Sequence, residues 1–260
     1  MIKPEHISDF KENGVTMISG ALTDWVDIIR SGIEYNLKNP GTYASENSTS
    51  EGRFFDDYCN WTKIPEFEKL IRESPAAKIA AEIMESKTAQ FFHDHVLVKE
   101  PGTPKKTPWH QDAPYYFIKG SQTVSLWIPV DPVNKSKIQF ISGSHKWKKL
   151  VKPVSWADNS DFYRSDDNWT PVPNPEDDPK KHKILEWEME PGDVVLFDYK
   201  TVHGAPGNQA TSRRRALSLR WVGDDACYTE RPGRTSPPFP GHNMKEGQKL
   251  REDWFPTILS

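Results

Sequence analysis

Two hydrophobic periods divide this chain, and each predicts a different kind of secondary structure. In the N-terminal third, apolar residues recur every three or four positions, which is typical of helices with one buried face. The clearest such run spans residues 22–37 and ends at an Asn-Pro-Gly sequence, and a shorter helix is predicted over residues 5–13. Two further helices are predicted to begin at Pro65 and Pro75, because proline is favoured in a first helical turn.

From about residue 88 the pattern changes to an alternation of apolar and polar residues, which is typical of strands with one face on a core. The polar residues 42–60 are instead predicted to form a surface loop. The predicted strands are residues 14–19, 89–99, 123–130, 138–141, 194–197 and 213–222. Helices followed by many short strands, with no regular alternation of strand and helix, indicate an α+β fold with a sandwich or barrel core.

Two segments lie outside this predicted core. Residues 152–183 are charged and rich in Pro and Asp, and they are too long for an ordinary connection. Their aromatic residues favour a folded lid. The tail from 223 to 260 keeps several large aromatic side chains, so we expect it to pack on the body of the protein or on a second subunit. We therefore expect a single domain over 1–260, with a lid insertion and a C-terminal extension.

Charge and composition exclude several classes of protein. The 260 residues carry a formal net charge of −3, and no basic stretch suggests nucleic-acid binding. No apolar run approaches the roughly 20 residues that span a bilayer, and the N terminus lacks the pattern of a signal peptide. The two distant cysteines, Cys59 and Cys227, are predicted to be structural thiols in a reducing compartment. We expect a cytoplasmic monomer or homodimer without nucleic-acid or membrane partners.

A candidate metal site begins in residues 107–116, Thr-Pro-Trp-His-Gln-Asp-Ala-Pro-Tyr-Tyr. His110 and Asp112 are two residues apart in an extended segment, so their side chains are expected on one face. A third ligand should come from a histidine on a later strand. His203 follows a predicted buried strand and precedes Gly204, which allows close backbone approach. The other candidates are better explained as turn or surface residues: His145, His182 and His242.

The strand that begins near Arg214, eleven residues after His203, has two contrasting faces. Arg214, Ala216, Ser218 and Arg220 fall on one face, and the other face is mostly apolar. The apolar face should pack against the helices, which leaves small and cationic residues to line an interior. An inward arginine needs an anion to offset its lost hydration, and a carboxylate held by two hydrogen bonds is the natural partner.

Two histidines and one carboxylate with open coordination positions form the facial triad of non-haem Fe(II) oxygenases. With Arg214 so placed, the chain resembles the Fe(II)/2-oxoglutarate-dependent dioxygenases, specifically the phytanoyl-CoA dioxygenase family. The resemblance runs from about Phe91 to Val222. It rests on the spacing from His203 to Arg214 and on four motifs: Trp-His-Gln-Asp followed by Tyr-Tyr, Leu-Trp-Ile-Pro-Val-Asp, Ser-Gly-Ser-His and Pro-Gly-Asp-Val-Val-Leu-Phe.

The resemblance implies a double-stranded β-helix (jelly-roll, cupin-like) core flanked by N-terminal helices, with 2-oxoglutarate and O2 as co-substrates. It assigns three residues to Fe(II): His110, Asp112 and His203. It places four residues beside 2-oxoglutarate, with the first pairing the distal carboxylate: Arg214, Trp127, Lys99 and His95. Two positions depart from the family pattern. Ala205 replaces a serine that contacts the co-substrate in some members, and Ser136-Lys137 replaces an Asn-Gly turn.

The implied reaction is hydroxylation of an unactivated C–H of a small metabolite, coupled to decarboxylation of 2-oxoglutarate to succinate and CO2. Halogenating relatives lack the carboxylate ligand, so the presence of Asp112 favours hydroxylation. Tyr116 is predicted to line the substrate pocket, and Arg220 is predicted to meet an anionic group on the substrate. Two alternatives stay open. A cupin-like enzyme with another metal would not need Arg214, and a jelly-roll binding protein without turnover would tolerate loss of His203.

Overall fold

The computed structural model describes residues 2–49, 52–156, 160–163, 169–178 and 180–260. The helices in these residues are α1 (Pro4–Asn13), α2 (Val26–Lys38), α3 (Pro65–Glu73) and α4 (Ala76–Met84). The strands of the N-terminal half are β1 (Val15–Ile18), β2 (Ser45–Thr49), β3 (Gly52–Tyr58), β4 (Ala89–Lys99), β5 (Thr107–His110), β6 (Ile118–Lys119) and β7 (Thr123–Pro129). The later strands are β8 (Gln139–Ile141), β9 (Ile184–Leu185), β10 (Val194–Phe197), β11 (His203–Ala205), β12 (Arg214–Val222), β13 (Cys227–Tyr228) and β14 (Thr257–Leu259).

Two antiparallel sheets form the core. The larger sheet has the strand order β1-β10-β7-β12-β4-β3-β2, with β14 also paired to β4, and the smaller has the order β5-β11-β8-β9. Leu97 and Trp127 of the larger sheet share one buried cluster with Phe140 of the smaller sheet, so the two sheets pack face to face. The predicted jelly-roll core is confirmed.

The helices cover the outer face of the larger sheet. Leu217, Leu219 and Trp221 on β12 are fully buried in the same cluster as Ile33 of α2 and Phe67 of α3. The division of β12 into an apolar outer face and a cationic inner face is therefore as predicted. Burial of the outer face against helices forces the alternate residues of β12 to point between the two sheets.

The helix ends follow local sequence signals. α1 begins at a proline and ends before Gly14, whose positive φ of 79° suits glycine. α3 begins at Pro65, as predicted. α4 begins one residue after Pro75, where Ser74 Oγ accepts a hydrogen bond from the Ala76 N–H at 3.2 Å. Over the described ranges, no helix is both long enough and apolar enough to cross a bilayer.

The prediction of a surface loop over residues 42–60 is wrong. β2 and β3 form an antiparallel hairpin, and β3 pairs along β4 at the edge of the larger sheet. On one face of β3 the buried Asp57 accepts a hydrogen bond from Asn36 at 2.8 Å. On the opposite face Asp56 and Tyr58 line a cavity. The segment has a polar sequence because one face borders a cavity and the other buries a carboxylate whose hydrogen bonds are satisfied.

The C-terminal tail packs on the body of the protein. Met244, Leu250 and Phe255 are buried in a cluster with Phe92 and Phe117. The insertion predicted to be a lid contains residues 157–159, 164–168 and 179, which lie outside the described residues. Its described parts contact the region of the metal-site motif: the Tyr163 hydroxyl donates to the Pro114 carbonyl at 3.0 Å, and the Tyr115 hydroxyl donates to the Val154 carbonyl at 2.8 Å.

Candidate metal and co-substrate site

Three buried side chains of the smaller sheet meet between the two sheets. His110 ends β5, Asp112 follows it by two residues, and His203 begins β11 directly opposite His110 in the strand register. One potential ligand atom from each residue lies within 4.8 Å of the others. Within the described part of the chain, this is the one group of three His, Cys, Asp or Glu residues with such geometry. The pairing of β5 with β11 thus brings together ligands 91 to 93 residues apart in the sequence.

A backbone carbonyl orients each imidazole of this group. His110 Nδ1 lies 2.7 Å from the Pro108 carbonyl oxygen, and His203 Nδ1 lies 3.0 Å from that of Thr201. Because a carbonyl only accepts, each Nδ1 carries the hydrogen and each Nε2 keeps a free lone pair. These Nε2 atoms lie 3.6 and 3.9 Å from Asp112 Oδ1. The residues present therefore fit a metal ion held by two imidazoles and one carboxylate oxygen.

The protonation states also suit a metal. Burial, helped by the neighbouring His110, lowers the pKa of His203 to about 3, so this imidazole is neutral. Burial alone would raise the pKa of Asp112, but the Arg220 guanidinium holds it well below its usual range. A neutral imidazole and an ionised carboxylate are the forms that bind a divalent cation.

The second oxygen of Asp112 is held by the protein. Asp112 Oδ2 accepts a hydrogen bond from Ser125 Oγ at 3.0 Å and lies 3.4 Å from Arg220 Nη2. Arg220 Nε donates to the Tyr116 hydroxyl at 3.1 Å. Tyr116 and Arg220 both line the cavity beside the metal ligands, but the charge partner of Arg220 is Asp112. The charge of Arg220 is therefore already balanced without an anionic substrate.

Two residues within the motifs keep the ligands in place without binding metal. Gln111 donates from Nε2 to the Lys200 carbonyl at 2.5 Å and accepts from the Val151 N–H at 2.7 Å, which ties the metal loop to its surroundings. At Gly204, a Cβ would lie 3.2 Å from the Thr107 carbonyl oxygen on β5. The glycine beside the ligand therefore permits the close approach of β11 to β5.

Arg214 is a buried cation without an anionic partner. Its Nη1 donates to the Ser136 carbonyl at 2.6 Å, and its guanidinium carbon lies 5.6 Å from the Trp127 ring centroid. Its Nε has no hydrogen-bond partner, and no described carboxylate forms an ion pair with it. Burial lowers the pKa of Arg214 to about 10. Arg214, Trp127 and His203 line one narrow cavity, so this cation and the metal ligands face the same space.

Of the remaining residues predicted to contact the co-substrate, two line the narrow cavity and one does not. Trp127 and His95 line the narrow cavity. The fully buried Lys99 instead donates from Nζ to the Pro206 carbonyl at 2.8 Å and is not among the lining residues. Its geometry supports the connection between β11 and β12. Ser136, at one of the two departures from the family pattern, supplies the carbonyl that Arg214 contacts.

A second, larger cavity of about 220 Å³ is lined by His110 and Asp112 of the metal-site group. This volume is below the roughly 300–1,000 Å³ of pockets for drug-sized ligands, so its size suits a small molecule. The lining residues that the sequence analysis did not identify include Asp56, Tyr58 and His93. His93 lies two positions before His95 on a predicted strand, so strand parity could have found it. No sequence signal pointed to Asp56 or Tyr58, because their hairpin was predicted to be a loop.

A jelly roll with a buried His-Asp-His group, beside an arginine that has no anionic partner among the described residues, fits the class of facial-triad metal proteins. The family model described as "Phytanoyl-CoA dioxygenase (PhyH)" matches residues 10–216. The chain belongs to this family, which confirms the resemblance found in its motifs.

Comparisons with individual proteins agree with this assignment. The Caenorhabditis elegans "Probable phytanoyl-CoA dioxygenase" is 24% identical over 180 residues, which cover 66% of this chain and 51% of that protein. The chain spans about half the length of the curated relatives it matches. The carbocyclase SnoK from nogalamycin biosynthesis gives a TM-score of 0.75 at 24% identity, covering 98% of this chain and 96% of that one. The epimerase SnoN, solved with Fe3+, alpha ketoglutarate and nogalamycin RO, gives 0.77 at 18% identity, covering 98% and 97%. These two solved structures share the fold of this chain.

Proposed function

We propose that this protein is an Fe(II)/2-oxoglutarate-dependent oxygenase that uses O2 to hydroxylate an unactivated C–H of a small molecule. One observation carries the proposal: Arg214 is a buried cation with no anion among the residues that the structure describes, and it faces the same narrow cavity as the metal ligands. A metal ion alone accounts for the His-Asp-His group but not for Arg214. A co-substrate that chelates the metal at one end and presents a carboxylate at the other accounts for both.

The residues that would hold Fe(II) are His110 and His203 through Nε2 and Asp112 through Oδ1. When bound, Fe(II) and 2-oxoglutarate supply the activation of O2, with decarboxylation of 2-oxoglutarate to succinate and CO2. Support for this choice comes from the donor set, which is that of non-haem Fe(II) oxygenases, and from SnoN, whose structure contains Fe3+ and alpha ketoglutarate.

The chain's own contribution is to bind, orient and exclude water. Arg214 would pair with the distal carboxylate, and the Ser218 hydroxyl, buried without a partner, lines the same cavity. Ser125 and Arg220 occupy Asp112 Oδ2, which leaves Oδ1 directed at the metal position. Held this way, the carboxylate is oriented before any ligand arrives, which lowers the cost of assembling the site.

Trp156, in the predicted lid, lies where the two cavities meet. Its ring centroid is 4.8 Å from that of His110, and it lines both cavities. The narrow cavity has a volume of only about 30 Å³, far below the roughly 300–1,000 Å³ of ordinary ligand pockets, so binding of 2-oxoglutarate requires side chains around it to move. We propose that Trp156 withdraws when the co-substrate binds.

The two other classes of function are less consistent with this geometry. In a non-oxidative cupin-like metal enzyme, no bound anion would offset the desolvated charge of Arg214. A binding protein without turnover has no need to hold three metal-ligand atoms within 4.8 Å of one another. Both alternatives predict that 2-oxoglutarate does not bind.

The test is to load the full chain with Fe(II) and 2-oxoglutarate under anaerobic conditions. The proposal predicts a weak visible absorption of the iron–2-oxoglutarate chelate and, after oxygen is added, release of succinate. Arg214→Met should lose both signals at 2-oxoglutarate concentrations that saturate the wild type. Arg213→Met is the matched control, because Arg213 is only half-buried and pairs with Glu34 and Glu100. Absence of the absorption and of succinate from the wild-type protein would refute the proposal.

A further inference from the structure

The larger cavity contains buried polar atoms that the proposed chemistry does not use. His93 on β4 and Arg220 on β12 both line it, and the two residues are direct partners in the antiparallel register of these strands. Each is at least nine-tenths buried, and each has a side-chain nitrogen without a hydrogen-bond partner in the described part of the chain. Buried polar atoms in native proteins rarely lack partners, so this pair indicates a ligand.

His93 presents a lone pair rather than a hydrogen. Its Nδ1 lies 3.0 Å from the Asp94 carbonyl oxygen, so Nδ1 carries the ring hydrogen and donates it to that oxygen. Burial, and then the nearby Arg220, hold the pKa of His93 well below its usual value, so the ring is neutral. Nε2, the atom without a partner, is therefore a hydrogen-bond acceptor.

Arg220 presents the complementary hydrogen. Its Nε donates to the Tyr116 hydroxyl, and its Nη2 lies beside Asp112 Oδ2. The remaining nitrogen, Nη1, carries hydrogens and has no partner. The His93–Arg220 pair thus offers one acceptor and one donor at neighbouring positions of the cavity wall.

We propose that the His93–Arg220 pair is a substrate subsite that recognises a hydroxyl group. One hydroxyl can donate to His93 Nε2 and accept from Arg220 Nη1 at the same time. A carboxylate has no hydrogen for His93, and an ammonium group has no lone pair for Arg220 and meets its positive charge. This subsite rests on the proposed function for its role in turnover, but ligand binding to it does not depend on turnover.

The surrounding walls indicate the rest of the substrate. The ring of Tyr58 stacks on Tyr43 with centroids 5.0 Å apart, and these two rings give the cavity an aromatic surface. Asp56, whose carboxylate lies 3.4 Å from His95 Nε2, adds a second acceptor on the same side. Lys105 and Lys106 also line the cavity, but their ammonium groups already bond the Trp156 carbonyl and Glu176. Aromatic faces combined with acceptors therefore suit a neutral alcohol with an apolar ring or chain. The substrate class is therefore a hydroxylated compound, in place of the anionic one predicted from Arg220 alone.

The experiment compares three probes that share one ring: cyclohexanol, cyclohexanecarboxylate and cyclohexylamine. Binding to the full chain is measured by saturation-transfer NMR, under anaerobic conditions with Fe(II) and 2-oxoglutarate and also without either. We expect cyclohexanol to bind most tightly. Preference for the carboxylate or the amine, equal binding of all three, or binding of none would overturn the subsite.

Two variants of His93 test whether this residue accepts the hydrogen bond from the hydroxyl group. His93→Phe keeps the ring shape but removes the acceptor, and it should weaken cyclohexanol binding on the order of tenfold. His93→Gln restores an acceptor and should recover most of the affinity, whereas His182→Phe, at a residue that lines neither cavity, should change nothing. Thermal unfolding shows whether each variant folds. Unchanged affinity in folded His93→Phe, or no recovery in His93→Gln, overturns the subsite. Succinate formation from 2-oxoglutarate is measured separately, so a failure of the oxygenase proposal is distinguishable from a failure of this one.

Discussion

Replacing Arg214 with methionine should have opposite effects on the stability of the free protein and on its affinity for 2-oxoglutarate. In the free protein the guanidinium is buried and has no anion, so its desolvation is only partly offset. With 2-oxoglutarate bound, the same group would gain a carboxylate. Methionine has a similar length and no charge, so it removes the desolvation cost and the binding interaction together.

The size of the change in stability follows from the lowered pKa of Arg214 in the folded protein. A drop from the ordinary 12.5 to about 10 corresponds to about 3 kcal/mol of destabilisation of the charged form by the folded environment. This destabilisation is present at all pH values below the folded pKa, and therefore at neutral pH. Methionine also loses the hydrogen bond to the Ser136 carbonyl and the contact with Trp127, together worth about 1–2 kcal/mol. We expect the free variant to be more stable by about 1–2 kcal/mol, which raises Tm by a few degrees.

The binding effect should be larger and of the opposite sign. Hydrogen bonds to charged groups contribute about 1.5–3 kcal/mol each, and two of them would hold the distal carboxylate. The loss of at least 3 kcal/mol raises the Kd of 2-oxoglutarate by a factor of about one hundred or more. Anaerobic calorimetric titration gives the Kd, and thermal unfolding of the metal-free protein gives the stability. A Kd within a few fold of wild type, or a Tm several degrees lower than wild type, would refute the reasoning.

Three further predictions follow from the same geometry. Asp112→Ala should lower metal affinity by about a hundredfold, and it should destabilise the metal-free protein by about 3 kcal/mol because Arg220 loses its buried partner. Metal titration and thermal unfolding measure these two effects. Unchanged metal affinity would contradict the assignment of Asp112 as a ligand. Lys99→Met should change the Kd of 2-oxoglutarate by less than about threefold, because Lys99 Nζ bonds the Pro206 carbonyl; a loss as large as that in Arg214→Met would return Lys99 to the co-substrate site. Trp156→Phe should remove most of the fluorescence change that accompanies 2-oxoglutarate binding, and an undiminished change would show that another tryptophan responds.

Arg214 and Arg220 are residues of the same type whose charge partners depend on the tertiary structure. They share the inner face of β12 and are equally buried. Arg220 lies beside Asp112, whereas Arg214 has no anion among the described residues. Strand parity predicted that both arginines point inward, and this is correct. Which one needs an external anion depends on where the loop after β5 places Asp112, and strand parity contains no information about that loop.

The cavity beside the metal ligands contains residues that the sequence pattern identified and residues that it missed. His110, Asp112 and His203 were identified from residue type, spacing and position at strand ends, and the structure brings them together. Asp56 was missed because a polar strand that borders a cavity has the composition of a loop. Periodicity detects a strand through a contrast between an apolar core face and a polar solvent face, and this strand lacks that contrast.

The class of fold, the inward face of β12 and the three residues of the His-Asp-His group could all be predicted from the amino-acid sequence. These features depend on local periodicity and on residue types with specific chemistry, which are properties of the chain read in order. Only the tertiary structure decided that Arg220 pairs with Asp112, that Lys99 bonds backbone carbonyls and that His93 faces Arg220 across two strands. Those relations depend on strand register and loop placement. Register is set by the packing of residues that are distant in sequence, so it cannot be predicted from local patterns and is known only from the tertiary structure.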